Sequence, residues 1–493
     1  MTGRLAAAAL FSTASGHLPI GLRPLPSARV LWVNPRAAIH DPHAARLDGA
    51  FASYSEHLLA HCAFTISTEA QAASPLASAV NAQPKQGLAD RYGGAGVGSN
   101  GGSGRAAAVN GYLVKGIGRT PLVSALTPDT HASGGAYFEE TVREVIFSEV
   151  VAAEFPHSAV PVLALIDTGL VQHWPPGHGP RAEKRVLLVR PPILRAAHFE
   201  RAIGYNNGQP HAGVADERRV EQMFRVATEL LGRDGLRQAI HEFGNRLAQQ
   251  VAYSFVHRLP HGSPNTSNIA LDGRLLDFGA MSAVPSWADV ATMLTRRRFD
   301  RLFDTVAGPI QSLAYYFGRY FDTALADGKA VTARIDAARA AFKSTVAVEV
   351  LRVCGVARDT AQTFAGADPH HHAWPIAHRL IEHYQRERIE FVDGAPAPLI
   401  AWDLAQLWRS SPPKHLIEIK ALVLDCTPAS SRAAAQHRCM HRSATRPALF
   451  REPMKQRLHA TLELDAQGPL DQPLALQQFI ESEIAAARRD DNT

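Results

Sequence analysis

Apolar and polar residues follow two rhythms along this chain. Through roughly the first 200 positions, short apolar runs are cut by turn residues, as in strands; beyond them, spacings of three and four prevail, as in helices. Residues 109–115 read as a strand with Lys115 near its end. Over 137–154, Val142, Val145, Ile146 and Val150 share one helical face, and Glu140 and Glu144 stack on another. The apolar runs 160–166 and 185–189 have the character of buried strands, with Pro161 confined to the start of the first. Helical patterning covers 217–258. At 269–276 two short apolar strands flank Asp272-Gly273, a two-residue hairpin signal. Beyond 288 the pattern is helical, broken by Pro and Gly around 366–375 and 392–400, and no repeat is present. A β-containing half followed by a helical half predicts an α+β protein with two unlike lobes.

Composition narrows the picture. A chain of 493 residues allows about three domains or one large two-lobed unit. With 46% hydrophobic and 20% charged residues, it is neither mainly disordered nor fibrous. No run approaches the ~18 apolar residues of a membrane span, so no membrane partner is expected. A net charge of +5 over this length does not call for a nucleic-acid partner. Cys62, Cys354, Cys426 and Cys439 are scattered without a CxxC pair, which predicts no zinc or disulfide framework and a cytoplasmic protein. Residues 1–11 resemble a signal peptide only faintly, with a short apolar core and one positive side chain before it, so secretion is not expected. Residues 68–110 are rich in Ala, Ser, Gly and Gln; the first part reads as a linker, and 92–105 as either more linker or a working glycine loop. Lysine is scarce among the basic residues, so a lysine inside a motif carries more weight.

Candidate chemistry begins downstream, with His261-Gly262-Ser263-Pro264-Asn265-Thr266-Ser267-Asn268, the hairpin, then Asp277-Phe278-Gly279. A loop ending in Asn, a short hairpin and an Asp at a strand end bring amide and carboxylate together, as kinase-like folds do to hold magnesium against phosphates. Upstream, Lys115 on a strand and Glu144 on the next helix fit a fixed cation for phosphates and its partner. Each alone reads as a solvated surface charge; their order with the downstream cluster makes the functional reading the stronger. Gly102, Gly104 and Arg105 offer backbone N–H groups and a guanidinium to an anion, and Arg190 and Arg195 follow a strand closely enough to reach a triphosphate. His370-His371-His372 with His378 and His383 reads as a polar turn opening a helix, because no carboxylate or Cys stands at ligand spacing. Arg296-Arg297-Arg298 reads as a solvated helix face.

Several segments resemble the SelO-type pseudokinases, protein adenylyltransferases with a protein-kinase-like fold. Leu25 to Asn34 is similar to that family's N-terminal segment, Gly102-Ser103-Gly104-Arg105 to its GDGR loop, and Lys115-Gly116-Ile117-Gly118-Arg119-Thr120-Pro121 to its KGAGRTP. Val142-Arg143-Glu144 matches its helix-C IRE, Arg195 to Glu200 its RFGHFE, and 261–268 with 277–279 its HGVxNTDN…DYG. The matches run in order from about 25 to 280. The resemblance implies a two-lobed fold with a small β-containing N-lobe, a mainly helical C-lobe and a helical C-terminal extension. Its divisions fall at 1–65 (a segment packing on the N-lobe), 66–200, 201–395 and 396–493. It implies that Gly102, Gly104, Arg105, Lys115, Gly134, Arg190, Arg195 and Asp277 bind ATP, and that Asn268 and Asp277 hold Mg²⁺ or Mn²⁺. Lys115, Glu144 and the residue at the base position would be catalytic, with AMP passed to a protein or peptide acceptor.

Three departures matter. The family's acidic base position is Ser267, the aspartate position of a kinase-type loop is Ser263, and its DGR element reads Ser133-Gly134-Gly135. Without a base, an acceptor already ionised at neutral pH, such as a carboxylate, becomes the natural substrate. The alternatives are a kinase-like phosphotransferase and a nucleotide-binding module without catalysis.

Overall fold

The run 185–189 is almost wholly apolar because both its faces are covered. Val186 and Leu188 point into one core and Leu187 and Val189 into another on the opposite side of the sheet. The computed structural model describes residues 17–47, 51–66, 85–174, 182–206, 212–291, 296–366, 371–390, 402–462, 470 and 472–489. The linker reading at 68–84, the leader-like residues 1–11, His370 and the break at 392–400 lie outside them.

The protein is mixed α+β. One sheet holds eight strands: β1 (Leu18–Pro24), β2 (Arg29–Val33), β3 (Phe64–Ile66), β4 (Lys85–Ala89), β5 (Ala106–Val109), β6 (Tyr112–Lys115), β7 (Ala164–His173) and β8 (Ala182–Arg190). Their order is β2-β7-β8-β6-β5-β4-β1-β3, with every neighbour antiparallel. Residues 18–66 thus supply three strands of the same sheet. Residues 109–115 are not one strand: Asn110 and Gly111, at φ +49° and +85°, make a two-residue turn between β5 and β6, with Val109 opposite Tyr112. Positive φ at both central positions is what Asn-Gly supplies in a tight hairpin.

Helix α1 (Phe51–Cys62) covers one face of the sheet through Tyr54, Leu58 and Cys62. On the other side lies α2 (Phe138–Glu154), whose Val142, Val145, Ile146 and Val150 are fully buried as the sequence spacing predicts. That core continues without interruption into the helical half. There α3 (Ala212–Val256), kinked at Gly232, packs on α4 (Asp304–Tyr320) and α5 (Gly328–Val353). Phe224 is edge-on to Phe317 at 4.6 Å, tying α3 to α4.

The pattern beyond 288 is mostly helical, with α6 (Ala373–Gln385), α7 (Ile417–Asp425), α8 (Arg432–Ser443), α9 (Arg451–Leu462) and α10 (Pro473–Ala487). It is not wholly so. Asp289–Ala291, Arg296–Arg297 and Arg388–Glu390 form a small three-stranded sheet. Arg296 and Arg297 therefore belong to a strand and not to a helix face, because strand pairing with 290–291 overrides the local pattern. The expected strands at 269–276 reduce to isolated bridges: Ile269 to Leu275 around the Asp272-Gly273 turn, with Ala270 bridging to Arg195 and Leu275 to Ala159. Helix α10 returns to the β-rich half and packs against α2 and β2. The buried carboxylate of Glu154 fastens this return, accepting from Arg446 Nη1 at 3.0 and 3.1 Å and from the Arg489 amide at 2.8 Å. All four cysteines are buried free thiols. Among the described residues, no helix is long and apolar enough to cross a membrane.

Candidate functional site

Alternation along β6 sends Tyr112 and Val114 toward α1 and leaves Leu113 and Lys115 on the opposite face, where α2 presents Glu140 and Glu144 one turn apart. Lys115 Nζ donates to Glu144 Oε2 at 2.7 Å and to Asp277 Oδ1 at 2.9 Å, and lies 3.4 Å from Glu140 Oε1. The ligand atoms of those three carboxylates fall within 4.8 Å of one another, so one ammonium is shared by all three. Arg105 adds a second cation, forking onto Glu140 at 2.8 and 3.2 Å and donating to Gly135 O at 3.1 Å. Arg190, buried, donates to the other oxygen of Glu144 at 2.5 Å.

The charges shift one another strongly. Burial and the nearby Arg105 push the Lys115 amine down, but Asp277, Glu144 and Glu140 outweigh them and raise it. Burial pushes the Asp277 carboxyl up, yet Lys115 and Arg105 hold it well below the usual carboxylate range. Glu140 is carried to about 2, with Arg105 and then Lys115 overcoming burial.

The second wall is the loop 261–268. Asn265 Oδ1 caps its short turn by accepting from the Ser267 amide at 3.0 Å and the Ser267 hydroxyl at 2.5 Å. Asn268 Nδ2 donates to Ser263 O at 3.0 Å, which leaves Oδ1 as the ligand-capable atom of that amide. Asp277 adopts the left-handed region at φ +61°, ψ +71°, a conformation costing about 1–2 kcal/mol for an L-residue, although Asp tolerates it better than most. The turn carries its carboxylate back onto Lys115. Asp277 and Asn268 offer hard oxygen donors, the set that suits Mg²⁺ or Mn²⁺, so the residues present fit such an ion.

These walls enclose a cleft of about 630 Å³, lined among others by Tyr92, Gly102, Gly104, Arg105, Asn268 and Asp277. Residues 92–105 are thus a structured glycine loop. Gly102, at φ +146°, has no room for a Cβ, which would meet Asp90 O at 2.4 Å. Gly134, at φ +73°, would drive a Cβ into the Arg119 amide at 1.9 Å, and it supports the loop after Lys115 by accepting from the Gly118 amide at 3.0 Å. Another cavity, of about 420 Å³, lies beside α3 and α5, but Glu349 and Arg352 on its wall already pair with each other.

Lys115, Glu144, Arg190 and Asp277 are therefore joined by direct contacts, and Gly102, Gly104, Arg105 and Asn268 line the same cleft. Arg195 and Ser267 stand behind it: Arg195 Nη1 donates to the Ser267 carbonyl, and Lys115, Gly134, Glu144, Arg190, Arg195 and Ser267 are not themselves among the cleft-lining residues; Lys115 reaches the cleft wall through Glu140 and Asp277. Sequence reading missed three contributors. Asp90 anchors Arg195 Nε at 3.2 Å. Glu140, seen only as part of a helix face, holds Arg105. Helix α9 brings Arg451 and Lys455 to the cleft, with Lys455 Nζ 3.0 Å and His459 Nε2 2.5 Å from Glu139. No motif could have marked α9. The histidines 371, 378 and 383 form no metal cluster among the described residues: His383 stacks on His415 at 3.9 Å, while His378 lies beside Trp374 and Glu382.

Comparison with models of protein families and with curated proteins finds no match for this chain.

Proposed function

We propose that this chain is an ATP- and metal-dependent nucleotidyltransferase with a protein-kinase-like cleft, passing AMP to a protein or peptide acceptor. The observation that carries the reading is Lys115, held jointly by Glu144 and Asp277, where Asp277 lines a cleft that also contains the glycine loop and Asn268. A buried ammonium with a raised pKa remains charged at neutral pH and serves as a fixed electrostatic partner for phosphate oxygens. Glycine-loop amides and Arg105 add to that field, and Arg190 keeps Glu144 turned toward Lys115. Asn268 and Asp277 would hold Mg²⁺ or Mn²⁺, which neutralises charge on the phosphates when bound. In the transfer, an acceptor oxygen bonds to the α-phosphorus, the bond from that phosphorus to the α–β bridging oxygen breaks, and pyrophosphate leaves with the electron pair.

The acceptor follows from the same charges. Ser263 and Ser267 supply no base, and Glu140 and Asp277 are too strongly paired with cations to take a proton. An acceptor that arrives ionised needs neither, which favours a carboxylate and an acyl-adenylate product. ATP labelled separately at the α- and γ-phosphates tests this. Transfer of the α-label into a hydroxylamine-labile linkage supports the proposal; a hydroxylamine-resistant linkage makes the acceptor a hydroxyl. Transfer of the γ-label makes the protein a phosphotransferase, and binding without transfer makes it a nucleotide-binding module.

A further inference from the structure

Asp90 follows β4 and is fully buried, yet every polar part of it is engaged at the cleft's rear. Its carbonyl accepts from the Ser103 amide at 2.9 Å and its amide donates to Ala106 O at 3.2 Å, so its main chain frames both sides of the glycine loop. Its carboxylate accepts from His198 Nε2 at 2.8 Å through Oδ1 and from Arg195 Nε at 3.2 Å through Oδ2. Arg195 in turn lies over the face of Tyr92, 4.9 Å from the ring centre, and donates to the carbonyl of Ser267, the residue before Asn268.

His17, Asp90 and His198 have ligand atoms within 4.8 Å of one another and so raise the question of a metal. The hydrogen bonds answer it. His198 Nδ1 accepts from the Arg195 amide at 2.9 Å, which places the imidazole proton on Nε2, the atom facing Asp90. A metal at Nε2 would have to expel that proton, beside a guanidinium that already claims the carboxylate. The cluster is built as a strut.

We infer that Asp90 is a positioning residue that couples the glycine loop to the metal-binding loop, its main chain holding Ser103 and its carboxylate holding Ser267 through Arg195. The inference rests on the nucleotidyltransferase reading for its consequence, since phosphates gripped from one loop must meet a metal held by the other. Displacement by about 1 Å at such a junction costs on the order of 10²-fold in rate.

Asp90→Asn keeps the shape but turns one acceptor into an N–H donor facing either His198 or Arg195. Arg195→Lys keeps a charge but has no fork to reach both Asp90 and Ser267, and it carries the test if Asp90→Asn does not fold. Two readouts are needed. Amide hydrogen exchange should accelerate by about tenfold or more in both 100–105 and 263–268, and the Mn²⁺ concentration required for ATP binding should rise by about tenfold. A control substitution on an element that touches neither the strut nor the cleft, Leu380→Ala on α6, should move neither while lowering stability. Faster exchange at 100–105 with 263–268 unchanged overturns the coupling, as does an unchanged Mn²⁺ requirement alongside a lowered melting temperature. If the wild-type protein binds neither ATP nor Mn²⁺, the nucleotidyltransferase reading falls, and the exchange data alone decide whether the two loops are coupled.

Discussion

Lys115 Nζ lies 2.7 Å from Glu144 Oε2, joining β6 to α2 across 29 positions of sequence. Because Glu140 and Asp277 crowd the same ammonium, Lys115→Met would leave three carboxylates within 4.8 Å of one another without the cation they share. Loss of one partner of a buried ion pair costs about 3–5 kcal/mol, and the 38% exposure of the Asp277 side chain places this site at the lower end of that range. The variant should melt at a clearly lower temperature and lose α-label transfer by about 10²-fold or more. Glu144→Gln should lose stability as well, because Arg190 is left buried without its carboxylate even though Asp277 still holds the ammonium. Equal melting temperatures for Lys115→Met and wild type would contradict the shared-cation geometry.

Asp277→Asn tests the proposed metal site apart from folding. Lys115 keeps its bond to Glu144, so the change in melting temperature should be small, whereas loss of the carboxylate charge should raise the Mn²⁺ requirement for ATP binding by about tenfold or more. Asn268→Ala should act in the same direction and also free the Ser263 carbonyl that its amide holds. Calorimetric titration of ATP at several Mn²⁺ concentrations checks both. Identical metal dependence in wild type and Asp277→Asn would remove Asp277 from the ion's ligands.

Local pattern revealed much of this arrangement. The spacing of Val142, Val145, Ile146 and Val150 set the buried face of α2, and with it the side on which Glu144 stands. Lys115 was legible because it ends a strand, but the strand's true start at Tyr112 was hidden until Asn110-Gly111 was seen as a turn. What sequence could not show is contact at long range. Arg190 and Arg195 read as phosphate contacts because arginines near a strand end usually face solvent or ligand; here burial binds them to Glu144 and to Asp90. Asp90 carries no motif, since its partners come from residues 103, 195 and 198. Helix α9 is likewise silent: Lys455 gains meaning only when the chain returns to α2.

That return makes a stability prediction. Leu476, Phe479 and Ile480 of α10 are buried in the core that also contains Val142 and Val145, so the last helix is part of the fold around α2. Phe479→Ala should cost about 3–5 kcal/mol through lost burial and the cavity left behind. It should also weaken ATP binding, because α2 carries Glu140 into the cleft and Glu144 onto Lys115. Urea unfolding and ATP titration measure the two effects. A loss below about 1 kcal/mol would mean that α10 packs loosely and that the cleft does not depend on it.

Acid should weaken the helical half through His257. Its ring is buried, stacks on Tyr253 at 4.0 Å, and places Nε2 2.7 Å from Glu349 Oε2. Burial pushes the imidazole down from 6.5 to about 4, outweighing the opposing pull of the Glu349 carboxylate. With the folded value below the unfolded one, the unfolded chain takes up the proton first. The stabilisation is therefore complete above about pH 6.5 and drains away as pH falls toward 4. His257→Gln retains an N–H donor for Glu349 but has no proton to gain. Its unfolding free energy, measured in urea at several pH values between about 7 and 4.5, should decline less steeply than that of the wild type, by up to one bound proton in the slope. Parallel curves for the two proteins would show that the acid sensitivity of this half arises elsewhere.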